Sequence, residues 1–544
     1  MKHQRKIIIA ILIIAGFLVY VNALSNKFVW DDEEQVVNNQ VIQDASNIPM
    51  ILTSGTFYAG GAGLSGSFYR PLVSLFYLVN YQIWGLQPWG FHIFQIFLHL
   101  INVVLVYFLL EKILFSFKIN FAKSAAFLTA LIFAIHPANV ESVAYIGGIA
   151  DVLYGFFVLA AFYIFVSGIN LEKETINGAR FFWFFAIAFL GLLAKESAAV
   201  IFPIAALYLY LLFKPGWKFW LKRFIPQSLF VIGFCLILRI FLAGISFNQP
   251  QFSPIAKSNF LTRLLTLPAE IFVYIKTIFF PRILATSQHF VVNSASDIRF
   301  WGLGFILLLI GVFILFLATR QKEILKPHLF FISWFFIGIF PALNIVLPLD
   351  MTAAERWLYF PMIGALSFAV ISLMEAVKKT SSNWRNVAYI FLGAVIVLLS
   401  FRTIIRNGDW KDGLTLYGRD IEYSQESFNL ENNYGVELFR AGRIDEAEKH
   451  FKNSITLQNN WSPPHNNLGA VYEKRGDLEK AKEAYQKSID FSDYYLAYEN
   501  MAGLLIKMEE TGQAKTFLEN ALKKFPQNPR LNLMLSAIYY NEKK

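Results

Sequence analysis

Two adjacent carboxylates, Asp31 and Asp32, carry the strongest chemical signal in the sequence. They lie in the stretch Phe28–Glu34 (FVWDDEE), directly after the first apolar run. A carboxylate just outside a membrane can take a proton from an attacking hydroxyl group. Two neighbouring acids can also bind a divalent cation, or they can stay solvated on a loop. The spacing alone leaves all three interpretations open.

Other ionisable residues stand singly or in pairs at the ends of apolar runs. Charged groups at membrane depth are costly and usually face the interior of a helix bundle or a wet cavity. Their number therefore predicts a shared site on one side of the membrane. For the adjacent pairs Lys195–Glu196 and Glu355–Arg356, mutual neutralisation is the alternative. The residues of this predicted site are Arg70, His136, Glu141, Asp151, Lys195, Glu196, Arg239, Lys276, Glu355 and Arg356.

Four polar residues, His92, Gln95, His99 and Asn102, share one face of a predicted helix. They spread over about 15 Å of helix axis, too far apart for one metal ion. They predict a polar contact between helices, and no metal site is expected. The single cysteine, Cys235, excludes internal disulfides, cysteine-type zinc sites and iron–sulfur clusters.

The composition excludes a simple soluble enzyme. Of the 544 residues, 56% are hydrophobic and only 16% are charged, against about 25% charged in soluble proteins. Residues 406–544 hold 19 of the 48 basic and 21 of the 38 acidic residues, which is the density of a soluble domain. The sequence thus predicts a membrane domain over 1–405 and a soluble domain over 406–544. No basic stripe with interleaved aromatic residues predicts a nucleic-acid partner.

Apolar runs and basic loops predict eleven spanning helices with a cytoplasmic N-terminus. An odd number of crossings places the C-terminal domain outside the cytoplasm. Two segments, Arg70–Leu86 and Phe260–Leu284, fit better as helices in the outer interface or re-entering the membrane. They belong to a first outer loop over 25–89 and an outer interfacial segment over 245–297. The predicted spans lie near 7–24, 90–110, 124–137, 150–169, 181–194, 197–213, 224–243, 298–319, 328–347, 357–377 and 386–405.

The C-terminal domain repeats with a period of 34 residues. Gly435, Gly469 and Gly503 follow one another at this interval, and large residues recur between them. This period and pattern are typical of tetratricopeptide repeats, which are paired helices. We expect units near 428–461, 462–495 and 496–528 and a capping helix over 529–541. Such a surface binds extended peptides or packs on its own membrane domain.

Several motifs follow one another along nearly the whole chain. They are Asn26–Asn39, Phe68–Leu72, Gly90–Asn102, His136–Leu153, Leu193–Glu196, Pro341–Ile345, Glu355–Pro361 and the repeats. Taken together, these motifs resemble the transmembrane and tetratricopeptide-repeat-containing O-mannosyltransferases, which are similar to the protein O-mannosyltransferases. One departure is Ile149, where this family usually has arginine.

The resemblance implies an all-α membrane protein of the GT-C glycosyltransferase fold, followed by an α-solenoid of repeats. It implies transfer of a sugar, with mannose favoured, from a polyprenyl- or dolichyl-phosphate carrier to an acceptor hydroxyl, with inversion at the outer face. Asp31 would be the base, by similarity to the family's first-loop acid, and Asp32 would orient it or raise the proton affinity of Asp31 by like-charge repulsion. Arg70 and Arg356 would bind the carrier phosphate, with Arg239, Lys276 and Arg282 as further candidates. His136, Glu141 and the remaining charged residues would line the cleft.

The expected partners are the lipid carrier, the membrane and a polypeptide acceptor, and no cofactor or divalent metal is expected beyond the lipid-linked donor. A lipid or cell-surface glycan acceptor is an alternative, as is a non-catalytic membrane anchor for the repeats. Short loops favour a bacterial plasma membrane. The sequence does not specify the sugar or the acceptor.

Overall fold

The structure, a computed structural model, describes residues 2–56, 68–245, 253–424, 426–526 and 528–542. Parts of the predicted outer loop 25–89 and of the predicted segment 245–297 lie outside these residues. The described chain is built almost entirely from α-helices. A single two-stranded antiparallel hairpin within it pairs β1 (Ile169–Asn170) with β2 (Thr175–Ile176), with Ile169 opposite Ile176.

The described residues of the first three quarters of the chain form seventeen α-helices. Those in the first half are α1 (Lys2–Tyr20), α2 (Ile48–Thr53), α3 (Pro71–Trp84), α4 (Pro88–Ser116), α5 (Ala122–Ile135), α6 (Val140–Val143), α7 (Ile149–Ser167), α8 (Gly178–Ala194) and α9 (Ile201–Leu212). The others are α10 (Trp217–Phe219), α11 (Ile225–Ile237), α12 (Pro254–Lys257), α13 (Phe260–Phe279), α14 (Ile298–Arg320), α15 (Lys322–Ile339), α16 (Pro361–Lys378) and α17 (Ser382–Asp409).

The described residues contain eight helical segments that are long and apolar enough to cross a membrane. α5 and the segment Pro137–Val143 form a pair bent by 55°, which would make a ninth. α8 and the segment Glu196–Leu212 occupy two further predicted crossings but are shorter. The integral-membrane, all-α prediction is confirmed, whereas the predicted count of eleven spans is not. α3 and α13 are not among the candidate spans.

Local sequence signals explain where several helices begin. Asn177, Asn259 and Asp297 each accept a hydrogen bond from a backbone N–H of the following first turn, at Arg180, Thr262 and Arg299. Such caps satisfy N–H groups that have no partner inside the helix. Proline occupies the first turn of α3, α4 and α16, where its missing N–H costs nothing.

The centre of the membrane part is a packed layer around α4, α5, α7 and α16. The polar face of α4 is buried against it, as predicted. Gln95 donates to the Ser142 and Tyr145 carbonyls at 2.6 and 2.7 Å, and Asn102 donates to the Val152 carbonyl at 2.9 Å. His99 Nδ1 lies 2.8 Å from the Tyr359 hydroxyl. These bonds fix the helices that carry the outer loops.

The last quarter of the chain is a series of paired helices, as the repeat period predicts. A Cβ at Gly435 would lie 2.7 Å from the Phe451 ring, and one at Gly469 would lie 2.6 Å from the Tyr485 ring. Glycine therefore lets the two helices of each unit approach closely. The helices are α18 (Gly413–Asp420), α19 (Phe428–Arg440), α20 (Ile444–Leu457), α21 (Ser462–Arg475), α22 (Leu478–Phe491), α23 (Tyr495–Lys507), α24 (Thr511–Lys524) and α25 (Pro529–Glu542).

Candidate functional site

A tight turn after α1 presents the two acids of the first loop. Trp30, at its centre, has a φ of 57°, a left-handed conformation that is uncommon for a residue with a side chain. Its ring stacks on that of Tyr145, with centroids 5.4 Å apart. The chain then enters a π-helical turn over Glu33–Val37. This geometry separates the environments of Asp31 and Asp32.

The Asp32 side chain connects two segments of backbone. Its side chain is fully buried and accepts hydrogen bonds from the Val29 N–H at 3.0 Å and the Gly147 N–H at 2.7 Å. The first bond closes its own turn, and the second ties this turn to the segment between α6 and α7. Asp32 therefore positions this loop, and its predicted role beside the base stays a prediction.

Asp31 is half-buried and lies among charged and polar side chains. Burial raises the pKa of its carboxyl group, while Arg356 and the Tyr145 hydroxyl oppose that rise and Asp350 adds to it. A raised pKa makes a carboxylate a better proton acceptor near neutral pH. The environment therefore suits Asp31 to act as a general base.

Arg356 lies in the loop that precedes α16 and acts electrostatically on Asp31. Its guanidinium forms an ion pair with Glu141 and lies 5.2 Å from the centre of the Trp30 ring. The Glu141 carboxylate also accepts the Arg356 backbone N–H at 2.9 Å. Glu141 is completely buried, so Arg356 is held by a partner that solvent does not reach.

A second charged cluster lies beside the first. Glu196 joins two arginines, since its oxygens lie 3.0 Å from Arg70 Nη2 and 2.8 Å from Arg239 Nη1. Asp151 pairs with Lys195 Nζ at 2.5 Å. Asp151 and Lys195 also interact electrostatically with Arg356, which places the two clusters next to each other.

The adjacent pairs Lys195–Glu196 and Glu355–Arg356 do not neutralise each other. Each of the four residues bonds to a partner elsewhere in the chain. Glu355 is buried and pairs with Arg406 at 3.1 Å. The predicted convergence of acids and arginines is therefore present, but through partners that the sequence order does not reveal.

Two predicted residues occupy other environments. His136 is fully buried, and its ring nitrogens meet the Ile278 carbonyl at 2.8 Å and the Ala138 N–H at 3.2 Å. Lys276 is exposed near the end of α13, and the structure does not bring it into either cluster. Cleft lining by His136 and binding of the carrier phosphate by Lys276 therefore stay predictions.

Sequence reasoning missed an aromatic stack behind the acids. Tyr145 lies between Trp30 and Trp410, with its centroid 5.1 Å from the latter. Trp410 in turn faces the guanidinium of Arg406. Tyr145 lies within the motif His136–Leu153, but its distance from Trp410 along the chain gives no signal that the two rings stack.

The site lies at one end of the helix bundle. The ion pair between Arg5 and Glu111, at 3.2 Å, marks the other end of α1 and α4. The basic loops after α4, α7 and α9 follow the ends of these helices that point away from the site. Within the described residues, no group of three His, Cys, Asp or Glu side chains is arranged to hold a metal ion.

Comparison with known proteins gives two family matches. Residues 70–241 match the model described as dolichyl-phosphate-mannose-protein mannosyltransferase. Residues 426–493 match a tetratricopeptide-repeat model. The predicted resemblance is confirmed. In this chain the mannosyltransferase match precedes the repeat match.

Curated relatives include animal proteins named protein O-mannosyl-transferases. The Caenorhabditis elegans relative is 25% identical over 459 residues, covering 82% of this chain and 62% of its own. A human relative is 26% identical over 495 residues, covering 86% and 53%. The chain therefore spans little more than half the length of the curated relatives it matches. None of them supports the bacterial membrane expected from loop length.

The apo crystal structure of an Archaeoglobus fulgidus oligosaccharyltransferase also matches. Its TM-score is 0.40 at 11% identity, covering 92% of this chain and 73% of that one.

Proposed function

We propose that this protein is an integral-membrane glycosyltransferase that moves a hexose, with mannose favoured, from a polyprenyl-phosphate carrier to a Ser or Thr hydroxyl of proteins. One observation carries the proposal. The Arg356 guanidinium lies 5.2 Å from the ring of Trp30, which directly precedes Asp31, and it acts electrostatically on Asp31 beside the cluster of Arg70, Glu196 and Arg239. The names of the relatives and the matching mannosyltransferase model support the reaction class.

Asp31 acts as the base in this reaction. The acceptor hydroxyl transfers its proton to the Asp31 carboxylate while its oxygen attacks C1 of the sugar. The bond from C1 to the carrier phosphate oxygen breaks, and both electrons leave with the phosphate. Attack opposite the leaving group inverts C1. Asp32 touches no reacting atom here, because its side chain is fully buried and accepts hydrogen bonds from the Val29 and Gly147 N–H groups.

The arginines stabilise the leaving phosphate. A phosphodiester becomes a phosphomonoester, so negative charge grows on its oxygens, and a guanidinium matches their geometry with two parallel hydrogen bonds. Arg356 and Arg70 are the first candidates, and Arg239 is the third. Their present partners, Glu141 and Glu196, hold the side chains near the site. Asp151 and Lys195 border the same space.

The site faces the side opposite the cytoplasm. Lys and Arg residues in short loops mark the cytoplasmic side of a membrane protein. In this protein such loops lie at the helix ends away from Asp31. With the N-terminus in the cytoplasm, the repeats then lie on the extracytoplasmic side together with the site. The carrier keeps its apolar tail in the bilayer while its phosphate reaches the arginines.

The decisive experiment compares Asp31→Asn with wild-type protein, purified in lipid nanodiscs. Transfer of labelled mannose from polyprenyl-phosphate mannose to a Ser/Thr peptide is measured. We expect kcat to fall by about 10²–10⁴-fold, the usual contribution of a general base. Asp44→Asn is the matched control, because Asp44 is exposed and only caps a short turn. Wild-type turnover by Asp31→Asn would exclude the base assignment.

A further inference from the structure

A buried acid in the middle of α13, Glu270, has no role in the reaction proposed above. Asn344 donates from Nδ2 to Glu270 Oε1 at 3.1 Å, and its backbone N–H also acts on this carboxyl group. The other oxygen, Oε2, is buried and has no hydrogen-bond partner among the described residues. Asn344 itself lies in the motif Pro341–Ile345, to which the proposed reaction gives no part either.

The surroundings of Glu270 favour its protonated form. A buried carboxylate is stable only when it is paired with a cation or well supplied with hydrogen bonds. Burial raises the pKa of Glu270 to about 8, and the groups that oppose the rise belong to one uncharged residue, Asn344. A negative charge here would also face Tyr274, one turn later on α13. Near neutral pH the carboxyl group is therefore mostly protonated, and its carbonyl oxygen accepts the bond from Asn344.

Asn344 connects Glu270 to the loop between α15 and α16. Its Oδ1 accepts the Leu349 N–H at 2.8 Å, and its Nδ2 donates to the Thr352 carbonyl at 3.3 Å as well. Leu349 and Thr352 lie on either side of Asp350 in the chain. The contact between Glu270 and Asn344 thus fixes the part of the loop that carries Asp350.

This loop, residues 343–354, carries a charge that acts on the proposed base. The negative charge of Asp350 raises the pKa of Asp31. Arg356 follows the loop but is held separately, because Glu141 accepts its backbone N–H at 2.9 Å and pairs with its guanidinium. A looser loop would therefore displace Asp350 and leave Arg356 in place.

Several elements contribute groups around Asp31, and Asp350 is the one that lies on this loop. The charged and titratable groups that interact with Asp31 are Asp32, Tyr77, Tyr145, Asp350, Arg356 and Tyr417. We propose that Glu270, in its neutral form, is a positioning residue that holds Asp350 near Asp31 through Asn344. The inference rests on the proposed function where it concerns the base, but not where it concerns the loop.

The first test follows the loop and needs no sugar transfer. Hydrogen–deuterium exchange of peptides that cover residues 343–354 is measured by mass spectrometry on the full chain in nanodiscs. Glu270→Leu removes the acceptor at a similar side-chain volume. We expect the amides of Leu349 and Thr352 to exchange about tenfold faster, because a buried hydrogen bond that holds the loop is lost. Exchange at the wild-type rate would overturn the proposal.

Glu270→Gln tests the neutral form, because its amide oxygen can accept the Asn344 bond without any charge. We expect exchange at the wild-type rate. Exchange as fast as in Glu270→Leu would show that the ionised carboxylate holds the loop, and it would overturn the proposal. The matched control is Glu323→Leu, since Glu323 is an exposed glutamate in the first turn of α15. An equal acceleration in this control would overturn the proposal too.

The pH profile of transfer then tests the effect on the base. In Glu270→Leu, we expect the acid limb of kcat/KM to move to lower pH by a fraction of a pH unit, because the charge of Asp350 moves away from Asp31. A loss of stability alone would not move this limb. Glu270→Leu with Asp350→Asn should move it no further than Asp350→Asn alone, since the charge is already gone.

The outcomes separate this inference from the proposed function. A limb that stays in place in Glu270→Leu, or shifts that add in the double variant, would overturn the positioning role. Wild-type protein that transfers no sugar contradicts the proposed function instead. The exchange rates of Glu270→Leu and Glu270→Gln then decide by themselves whether neutral Glu270 holds the loop.

Discussion

Two neighbouring acids take different roles because the backbone between them turns sharply. The left-handed Trp30 and the π-helical turn that follows direct Asp32 inward, onto two backbone N–H groups. Asp31 keeps access to the charged cluster. Their adjacency in the sequence signals a site, but only the fold determines which of the two is available to take a proton.

The pKa of Asp31 yields a pH prediction through Asp350. The charge of Asp350 raises the pKa of Asp31, so Asp350→Asn should lower it. A base with a lower pKa stays deprotonated to lower pH. The acid limb of the kcat/KM profile should therefore move to lower pH, by a fraction of a unit, with little loss at the optimum.

Asp44→Asn again serves as the control, since Asp44 does not act on Asp31. A limb that stays in place in Asp350→Asn, or that moves to higher pH, would contradict the electrostatic link between these two carboxylates.

At the scale of elements, apolar runs predict which segments become helices, but not how long or straight they are. α5 ends at Ile135, and the chain bends by 55° at the His136 that follows. α8 ends at Ala194, and the extended backbone of the next residue, Lys195 (φ −161°, ψ 137°), turns the chain. Neighbouring side chains on extended backbone point in opposite directions. This explains why Lys195 pairs with Asp151 and Glu196 with the two arginines.

Helix crossings give a second prediction, at Gly364. A Cβ there would lie 2.6 Å from the Phe331 carbonyl oxygen and 2.8 Å from the Phe335 nitrogen, both backbone atoms of α15. Gly364→Ala should push α15 and α16 apart and lower the free energy of unfolding by about 1–3 kcal/mol, the usual cost of overpacking. Thermal unfolding in detergent measures this change.

Gly393→Ala is the matched control in α17, where an added Cβ meets no atom within 4 Å. It should be neutral or stabilise by up to about 1 kcal/mol, because alanine favours the helix. Equal melting temperatures for the two variants would show that the crossing of α15 and α16 is looser than the structure describes.

At the scale of the whole molecule, Arg406 joins the membrane part to the repeats. The change in composition near this residue predicts a boundary between two domains, but α17 continues through it to Asp409. The buried guanidinium lies 2.7 Å from Asp420 on α18 and 3.1 Å from Glu355. We call the contacts of Arg406 with Asp420 and Glu355 the joint. Because Glu355 directly precedes Arg356, the joint and the site share one loop. Composition could not predict these contacts, since it does not specify which distant residues pair.

Removal of the joint should therefore affect both parts. Arg406→Leu leaves Glu355 and Asp420 buried without their cation, which costs about 3–5 kcal/mol for a buried pair. We expect a lower melting temperature, faster proteolytic release of the repeats and reduced transfer, because the loop of Arg356 loses its anchor. Arg406→Lys keeps the charge but not the two-pronged contact with Asp420, so its effects should be intermediate.

The triple variant Arg406→Leu with Glu355→Gln and Asp420→Asn removes the uncompensated charges and should recover part of the stability. If it melts no higher than Arg406→Leu, the joint stabilises the protein by packing and not by charge.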